Sequence, residues 1–404
     1  MSLTPLEELG EPFYFIVGNA GDAGFETPPN PLGQSLRTWV RSLGGQQKEA
    51  VVVNAATGVT WRFACDEGAH LGGYDKAPNP LTYLCTGLVA SYMNEITALA
   101  EQRGIELNDL ELILDNFYWR EGDFRKGTMV SGSFPPELLA ICEAEADDQT
   151  LNALLYEGVA AAPLNGLALG SHPSLFNLVH NGKQITTTEV TPLGTEPYHD
   201  PGDSFSKITR MENSPAADGL ITFLNDSHPR YAEFMAQRSK DPELTDDQQL
   251  IHMNSSCMMR PDGIKDIIKK QGGSTAAPEW SYLSEEAKDY GGQGRAPDAA
   301  SLISAGIGLC FMTQIGRYSH MAKLPVGDYS IVQDTHFSLG GASGGTGKAA
   351  VAKPVETHIY LESECTDDQV QEIIGVAERT CFLHAFCRDD LKPKVRASRR
   401  SKAA

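Results

Sequence analysis

Between Asp298 and Tyr318 the chain places apolar side chains at nearly every helical phase. Leu302, Ile303, Ala305, Gly306, Ile307, Leu309, Phe311, Met312 and Ile315 leave no broad polar face. A helix that apolar on all sides belongs inside a fold. Gln314 and Arg317 close the run short of the ~20 apolar residues that a bilayer crossing needs, so the pattern predicts a core helix. Residues 51–54 and 59–65 are β-rich and flank an Ala-Thr-Gly turn, which predicts a hairpin. A second long helix is predicted from Leu81 to Arg103, strands over 110–117 and 137–144, and a helix over 147–162. Gly- and Pro-rich stretches predict an irregular arm over 1–45 and a loop over 163–185. Asp200-Pro-Gly-Asp203 reads as a turn, and 229–249 as polar and helix-like with a solvated acidic face. The sulfur-rich Met253–Met259 stretch reads as core packing.

A shift of 219 residues lays one part of the chain on another. Trp61 falls on Trp280, Glu67 on Glu286, Gly72-Gly73 on Gly291-Gly292, and Ala77-Pro78 on Ala296-Pro297. Gly87 falls on Gly306, Met93 on Met312, Asp109 on Asp328, and Pro135 and Glu137 on Pro354 and Glu356. One register holding across so many Trp, Gly and Pro positions predicts a tandem duplication. The expected division is an arm over 1–45, a first unit over 46–185, an insertion over 186–270, a second unit over 271–392 and a basic tail over 393–404. The expected fold class is α+β, with antiparallel sheets around two long central helices and a pseudo-two-fold axis between the units.

Composition narrows the partners. A formal net charge of −20 disfavours nucleic acid and anionic membranes. The basic run from Lys392 to Lys402 reads as a frayed, solvated end. The first residues, Met-Ser-Leu-Thr-Pro-Leu-Glu-Glu, hold neither a cationic nor an apolar leader region. The 8 cysteines lack a disulfide-scaffold spacing, which predicts free thiols in a reducing cytoplasm.

The two copies differ where chemistry would sit. The shift pairs Cys310 with Ser91 and Cys381 with Ala162, or with Ala161 if one residue is skipped. Two thiols kept together in one copy point to a paired site there. Thr366-Asp-Asp-Gln369 has capping-box spacing and predicts the start of the second copy's shorter helix. Within that helix Glu378, Cys381 and His384 recur every third residue and so share a side. Cys387 is a rise of ~9 Å beyond Cys381 on a straight helix, too far for a disulfide between them. Cys310 is therefore the better partner.

A long apolar helix with a cysteine, a strand hairpin, and a helix with a second cysteine resembles the OsmC/Ohr family. The residues that carry the resemblance are Leu302-Ile-Ser-Ala-Gly-Ile-Gly-Leu-Cys310 and Ala377-Glu-Arg-Thr-Cys381. The first copy adds Asn79-Pro80 and Leu84-Cys-Thr-Gly-Leu-Val-Ala-Ser91. Phe382 stands where the family usually has Pro, Glu378 where it often has His, and Asp298-Ala-Ala where its Asn-Pro-Glu helix entry falls. The resemblance implies an intertwined homodimer fused end to end, with a possible further homodimer of the whole chain. It also implies thiol-dependent reduction of organic hydroperoxides and a role in the stress response.

On that reading Cys310 is the nucleophile and Cys381 resolves it, with Arg317, His384 and Glu378 as candidate supporting residues. A small-molecule substrate and a dithiol reductant are the expected partners, and no cofactor is expected. Two other readings stand beside it. One uses the cysteines differently, with or without a metal held by His336 and His358 together with Cys310, Cys381 or His384. The other is a non-catalytic redox sensor or binding protein. Gly340-Gly-Ala-Ser-Gly-Gly-Thr-Gly-Lys348 imitates a phosphate loop but has Ala349 where Ser or Thr is needed, and reads as a β-turn.

Overall fold

The computed structural model describes residues 3–212, 219–224, 230, 235–271 and 279–400. Two helices of 24 residues, Pro80–Arg103 and Ala299–Ala322, form its interior. Asn79 precedes the first, and Pro80 fills a position whose missing N–H has no helical partner to lose. Gly104, at φ 64°, ends it in the left-handed conformation. The second starts at Asp298, whose carboxylate accepts the Ser301 N–H at 2.8 Å, and ends at left-handed Lys323.

The helices pack on each other, and each also packs on a different sheet. Their crossing is set by two glycines. A methyl group on Gly87 would lie 2.6 Å from the Ala299 carbonyl oxygen, and one on Gly306 would lie 3.0 Å from the Leu84 nitrogen. Ala299–Ala322 is long and apolar enough to cross a membrane, yet 94% of its most apolar window is buried inside the protein. Its apolarity is consumed by the core.

Both sheets are mixed. The first runs in the order Phe15–Ile16, Thr60–Cys65, Gln47–Asn54, Gly33–Gly44, Val326–Ser338, Glu356–Ser363, Leu175–His180, Lys183–Ile185. The second runs Ile221–Leu224, Glu279–Ser284, Lys265–Gln271, Gln249–Met259, Asn108–Glu121, Glu137–Glu143, Lys394–Arg399. The hairpin about Ala-Thr-Gly and the helix Asp148–Ala161 form as the sequence predicts. Each sheet takes strands from both halves of the chain. The seams are antiparallel, with Trp39 opposite Val332 in one and Ser255 opposite Leu114 in the other.

Several expectations need correction. The sheets are not purely antiparallel, because Leu175–His180 and Lys394–Arg399 each pair in parallel with a neighbour. The supposed arm contains Gly33–Gly44, an inner strand. It reads as irregular because Arg37 and Arg41 interrupt its apolar pattern. Their neutralising partners, Asp334 and Glu49, lie across strands, with Asp334 almost three hundred positions away in sequence. The loop expected over 163–185 contains the strand Leu175–His180, and the basic tail contains Lys394–Arg399. The insertion supplies Gln249–Met259 and Lys265–Gln271 to the second sheet. Within Met253–Met259, Met253 and Cys257 are core residues, as the sulfur-rich pattern predicts. Part of the helix-like stretch at 229–249 lies outside the described residues, and 238–248 forms neither helix nor strand.

Two substitutions test this packing. Alanine is the better helix former by about 1 kcal/mol, yet Gly87→Ala should destabilise the fold by roughly 1–3 kcal/mol because its methyl meets backbone. Chemical denaturation would show the midpoint falling. Arg37 donates to both Asp334 carboxylate oxygens at 2.7 Å, with both side chains buried. Arg37→Met should then cost about 3–5 kcal/mol by stranding Asp334, and the double variant with Asp334→Leu should recover much of that in the same assay.

Candidate functional site: a buried pair of thiols

Cys310 lies mid-way along the second long helix and is 2% exposed, while Cys381 is fully buried. The helix Asp367–Thr380 starts on the predicted capping box, with the Thr366 hydroxyl accepting the Gln369 N–H at 3.3 Å. It does not continue through Cys381. The Thr380 hydroxyl donates back to the Val376 carbonyl at 2.7 Å, and Cys381 takes an extended conformation at φ −76°, ψ 114°. A new helix, Phe382–Arg388, follows. The single straight helix expected through Glu378, Cys381, His384 and Cys387 is therefore broken at Cys381.

The break brings Cys381 against Cys310. Burial pushes the Cys310 thiol well above the ordinary cysteine range, and the neighbouring Cys381 thiol pushes it further. The Leu383 N–H, at the start of the new helix, points at Cys310 and opposes the rise, whereas the Glu67 carboxylate adds to it. The balance leaves Cys310 a thiol at neutral pH. All 8 cysteines are free.

Of the other sequence-predicted residues, none touches the thiols. His384 is fully buried beside Phe311, 4.9 Å between ring centres, and beside Phe176. Burial, then Arg388, lowers its pKa to about 3, and neither ring nitrogen has a partner. It is a neutral ring packed between Phe311 and Phe176. Arg317 stacks on Phe124 at 4.2 Å, and burial lowers its pKa. Glu378 is held by Arg388 at 2.9 Å, and Arg388 also donates to the Ser131 carbonyl. That pair fastens the short helix to the strand Val130–Ser133.

Sequence reasoning missed three neighbours. Glu67 accepts the Thr313 hydroxyl at 2.8 Å, and its carboxyl is raised by burial and lowered in turn by Lys48. Thr313 stands one turn beyond Cys310, so it delivers Glu67 from the first half to the second half's thiol. The pairing of Glu67 with Glu286 under the 219-residue shift was the available signal. Tyr118 is buried against Phe382 at 5.7 Å, with its hydroxyl beside the Cys85 thiol. It interacts electrostatically with Cys85 and Cys310.

His336 and His358 do not gather with the cysteines. His336 joins Asp334 and Glu356, with ligand atoms within 4.8 Å of one another. Asp334 is already neutralised by Arg37, whose guanidinium lies over the Tyr198 ring at 3.8 Å. His358 stacks on the same tyrosine at 4.1 Å. This polar cluster is one seam of the first sheet. The glycine-rich loop holds an anion, but an internal one, since Ala342 and Ser343 donate backbone N–H groups to Glu95.

Residues 292–395 match the family model of OsmC-like proteins. This part of the chain belongs to the OsmC family. The matched segment includes both Cys310 and Cys381 and stops within the strand Lys394–Arg399. No curated protein and no solved structure matches the chain.

Only the thiolate is nucleophilic, so the raised Cys310 makes a pH prediction. Below its pKa the thiolate fraction grows roughly tenfold per pH unit. Alkylation of Cys310 by iodoacetamide, followed by peptide mass spectrometry on the folded protein, should climb through pH 7 to 9 with no plateau. A plateau below pH 8 would contradict the assignment.

Proposed function

We propose that this protein reduces small organic hydroperoxides with the Cys310–Cys381 pair. The observation that carries the reading is the apposition of two reduced, buried thiols within the segment that matches OsmC-like proteins. Phe382, Tyr118 and Phe311 surround them with apolar surface suited to an alkyl or aryl group. The Cys310 thiolate attacks one peroxide oxygen and the O–O bond breaks. The alcohol leaves with a proton, and Cys310 becomes a sulfenic acid. Cys381 then attacks that sulfur, water leaves, and a disulfide closes. A dithiol reductant, oxidised in the exchange, restores both thiols.

The chain supports this chemistry as a fused dimer. Element boundaries repeat under the 219-residue shift: Pro80–Arg103 falls on Ala299–Ala322, and Asp148–Ala161 on Asp367–Thr380. Thr60–Cys65 falls on Glu279–Ser284, and Leu175–His180 on Lys394–Arg399. These coincidences favour two units related by a pseudo-two-fold axis, with the thiols kept in the second. On this reading Glu67 is the first unit's contribution to the second unit's site. The free cysteines fit a cytoplasmic setting.

The decisive assay is consumption of cumene and tert-butyl hydroperoxide under dithiothreitol, with mass spectrometry of Cys310 and Cys381. Cys310→Ser should abolish turnover. Cys381→Ser should leave Cys310 to be over-oxidised to sulfinic acid. Oxidation of Cys310 without turnover in the unaltered protein would support a redox sensor instead, and turnover surviving in both variants would remove the thiol reading altogether.

A further inference from the structure

A cavity of about 530 Å³ lies away from the thiols, against the first long helix, which turns Ser91, Asn94, Ala98 and Glu101 toward it. That is within the ~300–1,000 Å³ of small-molecule pockets. The 219-residue shift places Ser91 on Cys310 and Ala98 on Arg317. In the second half Arg317 stacks over Phe124, whereas the Ala98 methyl is too short to reach across the matching space. At the corresponding place in the second half Arg317 and Phe124 line a smaller cavity of about 300 Å³.

The cavity wall is chemically specific. Glu101, Glu285, Glu286 and Asp289 line it against the single cation Lys265. Arg295 neutralises Glu285 at 2.6 Å. Three carboxyl groups and one ammonium remain, and burial raises the Glu286 carboxyl, so a cation beside it would favour its ionised form. Glu286 is oriented by the Asn94 amide, which donates to it at 2.6 Å. Independently of these charges, the Ser91 and Gln34 side chains are 3% and 7% exposed and open onto the cavity. Neither has a hydrogen-bond partner among the described residues. Their polar atoms face the cavity, where a ligand can meet them. Leu164, Met259 and Leu339 supply apolar wall beside them.

We infer that this cavity is a second ligand site, separate from the thiol pair, and that it takes a small organic ammonium ion on a short apolar stem. The ammonium sits against Glu286, a polar substituent meets Ser91 and Gln34, and the stem lies on Leu164 and Leu339. A neutral or anionic molecule with the same stem lacks the charge that the excess carboxylates select. The inference does not depend on peroxide chemistry.

The test uses the full chain and three probes with one stem: n-butylammonium, n-butanol and butyrate. Binding is read by saturation-transfer NMR and by titration, for the unaltered protein, Glu286→Gln and Ala98→Arg. n-Butylammonium should bind at least tenfold more tightly than n-butanol, and butyrate should not bind. Glu286→Gln should weaken n-butylammonium tenfold or more. Ala98→Arg should abolish binding while leaving the circular dichroism spectrum and melting temperature unchanged. Equal binding of n-butanol, no binding of n-butylammonium, or n-butylammonium binding unaffected in both variants would each overturn the assignment. Should Glu286→Gln fail to fold, the probe series and Ala98→Arg decide it.

Discussion

The structure depends on the close approach of two helices at Gly87 and Gly306. Gly87 meets Ala299 and Ile303 of the second helix, and Gly306 meets Pro80 and Leu84 of the first. At this distance neither helix has room for a methyl group. The helices must then share one apolar interior instead of each building its own. That explains why neither has a polar face, and why a periodicity search finds only uniform burial. It also fixes the distance between the sheets, since each helix rests on one sheet while touching the other helix. The thiol site inherits its position from the same constraint. Cys310 is one turn beyond Gly306 on a helix that cannot slide.

The exchange of strands between halves adds a second tie, made with buried charge. In one seam Asp334 is neutralised by Arg37; in the other Asp115 accepts from His252 and from the Ser239 N–H, each at 2.7 Å. The 219-residue shift carries Asp115 onto Asp334. One carboxylate position is thus kept in both sheets and satisfied by different partners. Replacing a buried ion pair by apolar residues is often harmless, but losing one partner is not. Each seam therefore commits both halves of the chain to a single register.

The sequence made the helices legible because their signals are local. Proline at the first turn, glycine after the last and the Thr366 capping box each act within a few residues. It also yielded the family resemblance and the two cysteines, through a comparison of the chain with itself. The strands Gly33–Gly44 and Lys394–Arg399 were illegible because what allows them to be strands is distant. Arg37 counts as a polar interruption until Asp334 neutralises it, and Arg396 and Arg399 look like a solvated tail until Glu137–Glu143 pairs with their backbone. The surroundings of the thiols were hard to read for a related reason. His384 and Glu378 were placed by spacing along one straight helix, and the chain breaks at Cys381. Glu67 reaches Cys310 only through Thr313, across the interface between halves.

What separates the halves is how each covers the middle of its long helix. After Thr380 the second half turns at Cys381 into a full helical segment whose Phe382 and Leu383 cap Cys310, fastened by Arg388 to Glu378 and Ser131. After Ala161 the first half turns at Ala162 into a short 3-10 segment, Pro163–Leu167. Its Leu164 stops at the cavity wall, short of covering Ser91. The same backbone position therefore produces a sealed thiol pair in one half and an open polar pocket in the other. Sealing excludes water and raises the thiol, which suits a slow, guarded nucleophile. Opening suits reversible binding, for which a serine hydroxyl is adequate and a thiol is not needed. One chain can hold both because each demand is met by residues after the shorter helix and by one position, Ala98 or Arg317, on the long one. The shared helix crossing is left untouched.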